Sequence, residues 1–214
     1  MARSHPIFAR YYARTSLAME RGIAEHRDTL LAGLTGRVIE VGAGNGLNFA
    51  HYPPEVTSVL AVEPEPLLRR LAEDNAAKAA VKIEVVDGDA DHLPAEDGSY
   101  DAVVASLVLC SVPDPDHALT EMLRVLKPGG QLRFFEHVRA ETSGKRAVQR
   151  ILDATIWPTL GGGCHTGRDT AAAISRTGFH IDRLDKLTRA ETRIPFPASP
   201  QILGTAVRPD ADHG

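Results

Sequence analysis

Short runs of β-branched and other apolar residues alternate along this chain with longer windows of helical periodicity. Alternation of this kind is typical of a parallel α/β sheet, in which each helix returns the chain to the same edge. It therefore predicts an α/β fold with a doubly wound, mostly parallel sheet and helices on both faces. The first five strands are predicted at residues 37–41, 58–62, 81–86, 100–105 and 131–136.

The remaining windows predict the helices and the last strands. Residues 1–34 are expected to form an N-terminal helical lid, and residues 140–178 a helical cover over the strand tips. Residues 179–187 and 201–207 predict two antiparallel strands that close the sheet. The helices are predicted at residues 8–32, 46–51, 66–79, 116–126, 145–157 and 168–177.

The length, charge and cysteine content of the chain exclude several classes of protein. A chain of 214 residues suits one domain, here residues 1–214. Because 24 Lys and Arg face 28 Asp and Glu, the net charge of −4 argues against a nucleic-acid binder. No apolar run approaches the roughly 18 residues of a membrane span, and no signal peptide is expected. Two cysteines far apart make no disulfide framework, so the sequence predicts a cytoplasmic protein.

A glycine-rich loop follows the first predicted strand, in the segment Gly42-Ala43-Gly44-Asn45-Gly46. A strand that enters a glycine turn and then a helix forms the ligand site of doubly wound sheets. Glycine is needed there because a Cβ would block the close approach of a ligand to the backbone. The dinucleotide fingerprint has the spacing G-x-G-x-x-G, but Leu47 stands where its third glycine would be. The mismatch disfavours a nicotinamide cofactor.

The charge in front of this loop separates two classes of cofactor further. Glu40 would place a carboxylate beside a pyrophosphate, which is a repulsive arrangement in a partly buried site. The same carboxylate would attract S-adenosylmethionine (SAM), which carries an ammonium and a sulfonium group and no phosphate. Glu40 therefore favours SAM over a dinucleotide.

Two more acidic residues follow the next two predicted strands. Glu63 comes after the second strand, where an acid accepts hydrogen bonds from both ribose hydroxyls of a bound nucleotide. Asp89 comes after the third strand, where a carboxylate can accept from the adenine amino group. Each acid alone could be an ordinary loop carboxylate, but one acid at the end of each of three successive strands indicates a nucleoside site.

These motifs resemble those of class I SAM-dependent methyltransferases, and the resemblance covers almost the whole chain. It is carried by residues 40–46, 62–64, 88–90 and 124–130. The resemblance implies a Rossmann-like, seven-stranded sheet whose last strand is antiparallel, and SAM as the cofactor. It assigns to the cofactor site the residues Glu40, Gly42, Ala43, Gly44, Asn45, Gly46, Asn48, Glu63, Pro64, Asp89, Ala90, Ser106 and Leu107.

The resemblance also implies a role for each part of this set. Glu40 and the glycine loop would hold the methionine end of SAM, with help from Asn45 and Asn48. Glu63 would bind the ribose and Asp89 the adenine. Ser106 and Leu107, at the end of the fourth strand, would border the sulfonium.

Three other segments resemble a narrower group of methyltransferase-like proteins that includes alkyl thiol methyltransferases. They are residues 108–112, 135–138 and 163–168. Bacterial relatives in this group are labelled as small-molecule or phospholipid methyltransferases. The animal members carry an amino-terminal membrane anchor that this sequence does not show, which disfavours a lipid substrate.

Methyl transfer from a sulfonium is an in-line displacement, so much of the catalysis can come from positioning the two reactants. A thiol acceptor attacks as the thiolate, and an apolar pocket then calls for a nearby base or cation. His137, directly after the fifth strand, is the candidate general base. Glu136 is expected to orient it or a backbone amine, and Cys110 to form a wall of the acceptor pocket.

The other candidates for acceptor binding lie in the predicted lid and cover. Tyr11 and Tyr12 precede an amphipathic helix and are expected to close over the site, although core packing is an alternative. Trp157 could line the pocket or anchor its helix. Cys164 and His165 suggest a metal site with Cys110 and His137, but the usual zinc spacings are absent, so no metal is predicted.

The sequence thus predicts a SAM-dependent methyltransferase that acts on a small, fairly apolar acceptor, with a thiol as the first choice. An oxygen or nitrogen atom of a lipid-like or secondary metabolite is the alternative acceptor. Two other classes stay open, a nicotinamide-dependent reductase and a SAM-fold protein that binds partners without catalysis. The oligomeric state is not predicted from the sequence.

Overall fold

The computed structural model describes residues 6–210, with side chains for residues 9–16 and 22–210. The ends of the predicted domain and lid, residues 1–5 and 211–214, lie outside this range. The strands are β1 (Gly36–Val41), β2 (Val56–Val62), β3 (Ile83–Val86), β4 (Tyr100–Ser106), β5 (Leu126–His137), β6 (His180–Leu187) and β7 (Gln201–Val207). The α-helices are α1 (Pro6–Leu31), α2 (Pro66–Ala76), α3 (Pro115–Val125), α4 (Ser143–Asp153), α5 (Trp157–Leu160), α6 (Thr170–Arg176) and α7 (Arg189–Thr192).

The seven strands form one sheet in the order β3-β2-β1-β4-β5-β7-β6. The pairs β1–β2, β1–β4, β2–β3 and β4–β5 are parallel, whereas β7 runs antiparallel to both of its neighbours. The predicted doubly wound, Rossmann-like sheet with an antiparallel last strand is therefore confirmed. The strand order reverses between β1 and β4, and ligands bind open sheets at the carboxyl ends of the strands beside such a point.

Both faces of the central strands are buried, as the continuous apolar runs of the sequence require. Ile39 and Val41 of β1 pack into the core on the side of α3 and α6, and Val38 packs into the core on the side of α1. Alternate residues of β4 divide in the same way, with Val103 on the first side and Val104 on the second. The two cores hold the strand ends rigidly in place, which fixes the edge where the site lies.

Two of the predicted helices differ from the structure. In residues 46–51 only a 3₁₀ turn forms, Phe49–His51, because Gly46 has φ +76°, which no right-handed helix accommodates. The predicted helix 145–157 is two helices, α4 and α5. Helix α4 ends at Asp153, and Pro158 lies in the first turn of α5, where a proline is well tolerated because its missing N–H has no helical partner there.

Four helices fall within the two segments for which a lid and a cover were predicted. Helix α1 occupies most of the predicted lid, and α4, α5 and α6 lie within the predicted cover. Among residues 6–210, no helix is both long and apolar enough to cross a membrane.

Candidate cofactor and acceptor site

The glycine loop after β1 has a backbone that only glycine adopts freely. Gly42, Gly44 and Gly46 have φ values of +66°, +59° and +76°. The amides of Gly42 and Ala43 donate to the carbonyl of Val62 at 2.8 and 3.1 Å, which ties the loop to β2. The loop is therefore a preformed cradle at the carboxyl edge of the sheet.

The Gly46 position allows a direct test of this cradle. A Cβ there would lie 2.6 Å from the Phe49 ring and 3.2 Å from the Ala72 Cα, whereas a Cβ at Gly33, with a similar φ of +72°, meets nothing within 4 Å. We expect Gly33→Ala to lower the free energy of unfolding by about 1 kcal/mol, from backbone strain alone. Gly46→Ala adds the clash with Phe49 and Ala72, so it should lower the free energy of unfolding by about 2–4 kcal/mol, as measured by urea unfolding. Equal losses in both variants would contradict the proposed packing of the loop.

Glu40 is the buried carboxylate at the end of β1, with only 2% of its surface exposed. Its Oε1 accepts a hydrogen bond from Asn48 Nδ2 and its Oε2 one from the Tyr52 hydroxyl, both at 2.7 Å. Arg27 of α1 donates in turn to Asn48 Oδ1 at 2.6 Å. The sequence did not identify Tyr52 or Arg27. Asn48, which was expected to assist Glu40 in the cofactor site, donates a hydrogen bond to the Glu40 carboxylate.

Burial controls the ionisation of Glu40. Loss of solvent raises the pKa of this carboxyl to about 7, although the hydrogen bonds from Tyr52 and Asn48 act in the opposite direction. A buried acid of this kind gains stability when a cation binds beside it. The carboxyl group is therefore suited to an ammonium and unsuited to a phosphate.

The acids predicted after β2 and β3 lie at the same edge of the sheet. Glu63 is 5% exposed, and its two oxygens accept from the amides of Gly44 at 2.7 Å and Glu65 at 2.9 Å. Burial raises its pKa as well. Asp89 is half-buried and accepts from the amide of Asp91 at 3.2 Å. Pro64 directly follows Glu63, and Ala90, which follows Asp89, is buried.

Helix α1 covers the glycine loop. The ring of Tyr12 lies over Gly44, 3.4 Å from where a Cβ would stand, and Ser16 Oγ accepts from Asn45 Nδ2 at 3.1 Å. Asn45 thus anchors α1 through its side chain. Tyr11 is 62% exposed, so of the two predicted tyrosines only Tyr12 contacts the loop.

The loop after β4 is held in a strained conformation. Leu107 has φ +61°, a left-handed value that is uncommon for a side chain of this size. Glu136, wholly buried in β5, accepts hydrogen bonds from the amides of Val108, Leu109 and Cys110 at 2.8, 2.9 and 3.2 Å. Burial raises its pKa to about 7. The carboxylate thus holds three backbone amides of this loop. The sequence also placed Glu136 in the acceptor site, and that role stays a prediction.

Three of the predicted acceptor residues meet at the tips of β4 and β5. His137 Nδ1 lies 3.6 Å from Cys110 Sγ and 3.4 Å from Cys164 Sγ. Cys110 is 1% and Cys164 7% exposed. The contact with Cys110, followed by that with His137, lowers the pKa of the Cys164 thiol, while the contact with Cys164 and burial raise that of Cys110. We call these three residues the thiol–imidazole cluster.

The cover is fastened to this cluster through backbone contacts. The amide of His165 donates to the carbonyl of Cys110 at 2.7 Å, and its ring Nδ1 lies 2.7 Å from the Gly163 carbonyl, so His165 does not join the cluster. Trp157 and Cys164 lie on either side of Gly161 in the cover. A Cβ built at Gly161 would lie 3.4 Å from Trp157 Nε1 and 3.3 Å from Cys164 Cβ. Trp157 is thus a neighbour of the cluster.

Two polar residues that the sequence did not identify also hold the cover. Gln149 of α4 is wholly buried, and its side chain binds the backbone of Ala140 and Thr166, among others. Arg168 is partly buried and donates to the Leu109 carbonyl at 2.6 Å, which places a positive charge near Cys110. Sequence spacing gave no signal for either residue, because both contacts are made to backbone groups, which any residue type carries.

The sheet and the edge acids around a glycine cradle define the class of a SAM-dependent methyltransferase. In agreement, residues 39–134 match the model of a methyltransferase domain. The chain is 38% identical over 181 residues to the thiol S-methyltransferase TMT1B of Rattus norvegicus, covering 80% of this chain and 70% of that one. The chain belongs to the methyltransferase family that contains this protein.

The chain is also similar to a second relative and to a solved structure. A phosphatidylethanolamine N-methyltransferase of Cereibacter sphaeroides is 30% identical over 175 residues, covering 81% of this chain and 79% of its own. A structure of geranyl diphosphate methyltransferase in complex with SAM superposes with a TM-score of 0.69 and 14% identity, covering 89% of this chain and 85% of that one. This structural likeness concerns the fold alone.

Proposed function

We propose that this protein transfers the methyl group of SAM to the sulfur of a small, fairly apolar thiol. The observation that supports SAM as the cofactor is the buried Glu40 carboxyl at the glycine cradle, with its raised pKa. The similarity to a thiol S-methyltransferase supports the acceptor. The same proposal places the enzyme in the cytoplasm, where reducing conditions keep Cys110 and Cys164 as thiols.

The residues at the sheet edge fit the cofactor by their chemistry. SAM supplies a methyl group on a positively charged sulfur. Glu40 would bind its ammonium, the amides and small residues of the cradle would contact the methionine backbone, and Glu63 would accept from the ribose. Asp89, beside Ala90, would bind the adenine amino group. Leu107, next to Ser106, would border the methyl at the strained loop, since its conformation is fixed before any ligand arrives.

The acceptor side is formed by the thiol–imidazole cluster and the cover. An acceptor thiol has to lose its proton before its sulfur attacks, and burial away from water makes that loss harder. Of the three residues of the cluster, His137 is the one that the sequence predicted as the general base for this proton. Trp157 and Tyr12 would add apolar surface that excludes water from the acceptor.

A SAM-consumption screen tests the acceptor. Purified protein is supplied with alkyl thiols, phenols, amines and phosphatidylethanolamine, and the methylated products are identified by mass spectrometry. We expect alkyl thiols to be turned over with kcat/KM at least about tenfold above any oxygen or nitrogen acceptor. Turnover of oxygen or nitrogen acceptors alone would show that the thiol assignment is wrong. The similarity to a phosphatidylethanolamine N-methyltransferase makes that amine the most informative competitor.

Calorimetric titration with SAM, S-adenosylhomocysteine and NAD tests the cofactor separately. The first two should bind and NAD should not, because Glu40 would stand beside its pyrophosphate. Tight NAD binding would favour a reductase. Binding of SAM without turnover of any acceptor would favour a protein that binds partners without catalysis.

The raised pKa of Glu40 predicts that SAM binding depends on pH. A cation selects the ionised carboxylate, so below a pKa of about 7 part of the binding free energy is spent on releasing the proton. The dissociation constant of SAM should therefore be about tenfold higher at pH 6 than at pH 8. Calorimetry in both buffers measures this ratio, and the ratio should fall towards one in Glu40→Gln. A wild-type affinity that does not change with pH would contradict the role of Glu40.

A further inference from the structure

The thiol–imidazole cluster draws its members from three separate segments of the chain. Cys110 lies in the strained loop after β4, His137 is the last residue of β5, and Cys164 lies in the cover between α5 and α6. Their three ligand atoms lie within 4.8 Å of one another. A fold that brings two sulfurs and an imidazole nitrogen to one point provides three ligands of the kinds that bind zinc.

The two sulfur–nitrogen distances fit a metal ion bound between these atoms. In a tetrahedral zinc site, Zn–S bonds of about 2.3 Å and Zn–N bonds of about 2.0–2.1 Å place sulfur and nitrogen about 3.5 Å apart. In the cluster, His137 Nδ1 lies 3.6 Å from Cys110 Sγ and 3.4 Å from Cys164 Sγ. Both separations thus match the edges of such a tetrahedron.

The orientation of the imidazole also favours a ligand over a proton acceptor. Nδ1 faces the two sulfurs, whereas Nε2 is buried and has no hydrogen-bond partner among the described side chains. His137 is therefore placed to coordinate through Nδ1, and the same nitrogen cannot serve as a base while it does so.

The charges of the surroundings suit this arrangement. Two thiolates and a neutral imidazole cancel the two positive charges of Zn²⁺, so the buried complex carries no net charge. The guanidinium of Arg168 lies close enough to attract both cysteine sulfurs. The cover and the strand tips would then be joined by metal bonds in addition to the hydrogen bond from His165 to the Cys110 carbonyl.

We propose that Cys110, His137 and Cys164 bind one Zn²⁺ ion, and that its fourth coordination position takes the sulfur of the acceptor thiol. The first half of the proposal stands on the geometry of the cluster, and the second half rests on the proposed function. Zinc sites with three protein ligands keep such an open position for water or substrate. When the thiol binds, its S–H bond breaks, its proton passes to solvent, and its sulfur replaces the bound water. A thiol loses its proton when it coordinates zinc, so the site would supply the acceptor as a thiolate although it is buried away from water.

Metal analysis of the full-length protein tests the first half. The protein is purified from cells grown with added zinc, and its metals are measured by mass spectrometry. We expect about one zinc ion per wild-type chain. Cys110→Ser, His137→Gln and Cys164→Ser should lose most of it, whereas His165→Gln, whose side chain lies outside the cluster, should retain it. Wild-type protein without zinc, or variants that retain it, would overturn the proposal.

Cobalt titration of the wild-type protein keeps the test independent of how well the variants fold. Metal-free protein is titrated with Co²⁺, which gives sulfur-to-cobalt charge-transfer absorption when two thiolates coordinate it. We expect saturation at about one equivalent. Absence of these bands would overturn the site.

An alkyl thiol added to the cobalt protein without SAM tests the second half. Coordination by the acceptor should strengthen the charge-transfer absorption and shift the visible bands, and an alcohol of the same chain length should not. If the spectrum of the bound cobalt ion did not change when the thiol is added, the proposed coordination of the acceptor sulfur would be wrong. Failure of the proposed function looks different, because the spectrum would respond to the thiol while the SAM-consumption screen showed no methylated thiol.

Discussion

Glu40→Gln is expected to weaken SAM binding about 100-fold, close to 3 kcal/mol, without unfolding the protein. The substitution removes one negative charge from a site that is 2% exposed, where an ion pair is screened little by solvent. The glutamine can still accept from Asn48 and donate to the Tyr52 oxygen, so the two hydrogen bonds of the native carboxylate have replacements. Calorimetric titration with SAM at pH 8, where the native carboxyl is ionised, measures the loss.

Glu84→Gln is the matched control for this experiment. Glu84 lies on β3, in the same sheet, and its side chain is exposed, so the same chemical change should leave SAM affinity unaltered. Thermal unfolding should show Glu40→Gln to be at least as stable as the wild type, because the cost of burying a charge disappears. Wild-type affinity in Glu40→Gln would mean that another group holds the ammonium, and the proposed cofactor site would be wrong.

The fold and the cofactor edge could be predicted because the relevant signals are local. The central strands are rich in apolar residues, and a parallel sheet brings the ends of its strands to one edge. This pattern predicts, without any structure, that Glu40 and Glu63 lie at the same edge of the sheet. The structure adds the burial that shifts their pKa values upwards.

The supports of the site could not be predicted, because they depend on contacts between distant segments. Arg27 reaches Asn48 from α1, and Arg168 reaches the Leu109 carbonyl across 59 residues. Nothing in the local pattern distinguishes such arginines from exposed ones. Only the packing of α1 and of the cover against the strand tips selects them.

The thiol–imidazole cluster shows the same limit of spacing rules. His137 stands 27 residues from each cysteine, whereas known zinc motifs hold their ligands two to five residues apart in pairs. The expectation that no metal binds rested on the absence of such pairs. The fold brings the three residues together without such spacing, since Cys110 follows β4, His137 ends the neighbouring strand β5 and the cover adds Cys164. The metal analysis described above decides between that expectation and the proposed zinc site.

Glu136→Gln is expected to lower kcat/KM for the thiol acceptor about 100-fold while changing SAM affinity less than about threefold. The native carboxylate accepts from three amides of the strained loop, at Val108, Leu109 and Cys110. A glutamine amide keeps one oxygen but presents an N–H₂ group to at least one of those N–H donors, so the loop shifts. The loop carries Cys110 and borders the expected methyl position, and misplacement of about 1 Å at such a site costs about 100-fold in rate. Steady-state kinetics with SAM at saturation measures the effect.

Glu121→Gln separates positioning by Glu136 from a general loss of stability. Glu121 of α3 is also buried, accepting from the Leu93 amide at 3.0 Å and from Arg124, but it lies away from the cluster. Both variants should lose about 1–3 kcal/mol of unfolding free energy, because each leaves a buried donor without its charged acceptor. Only Glu136→Gln should lose acceptor turnover. If the two variants lose stability and activity in parallel, or if Glu136→Gln retains full kcat/KM, the buried carboxylate serves folding alone and the strained loop does not set the position of the acceptor.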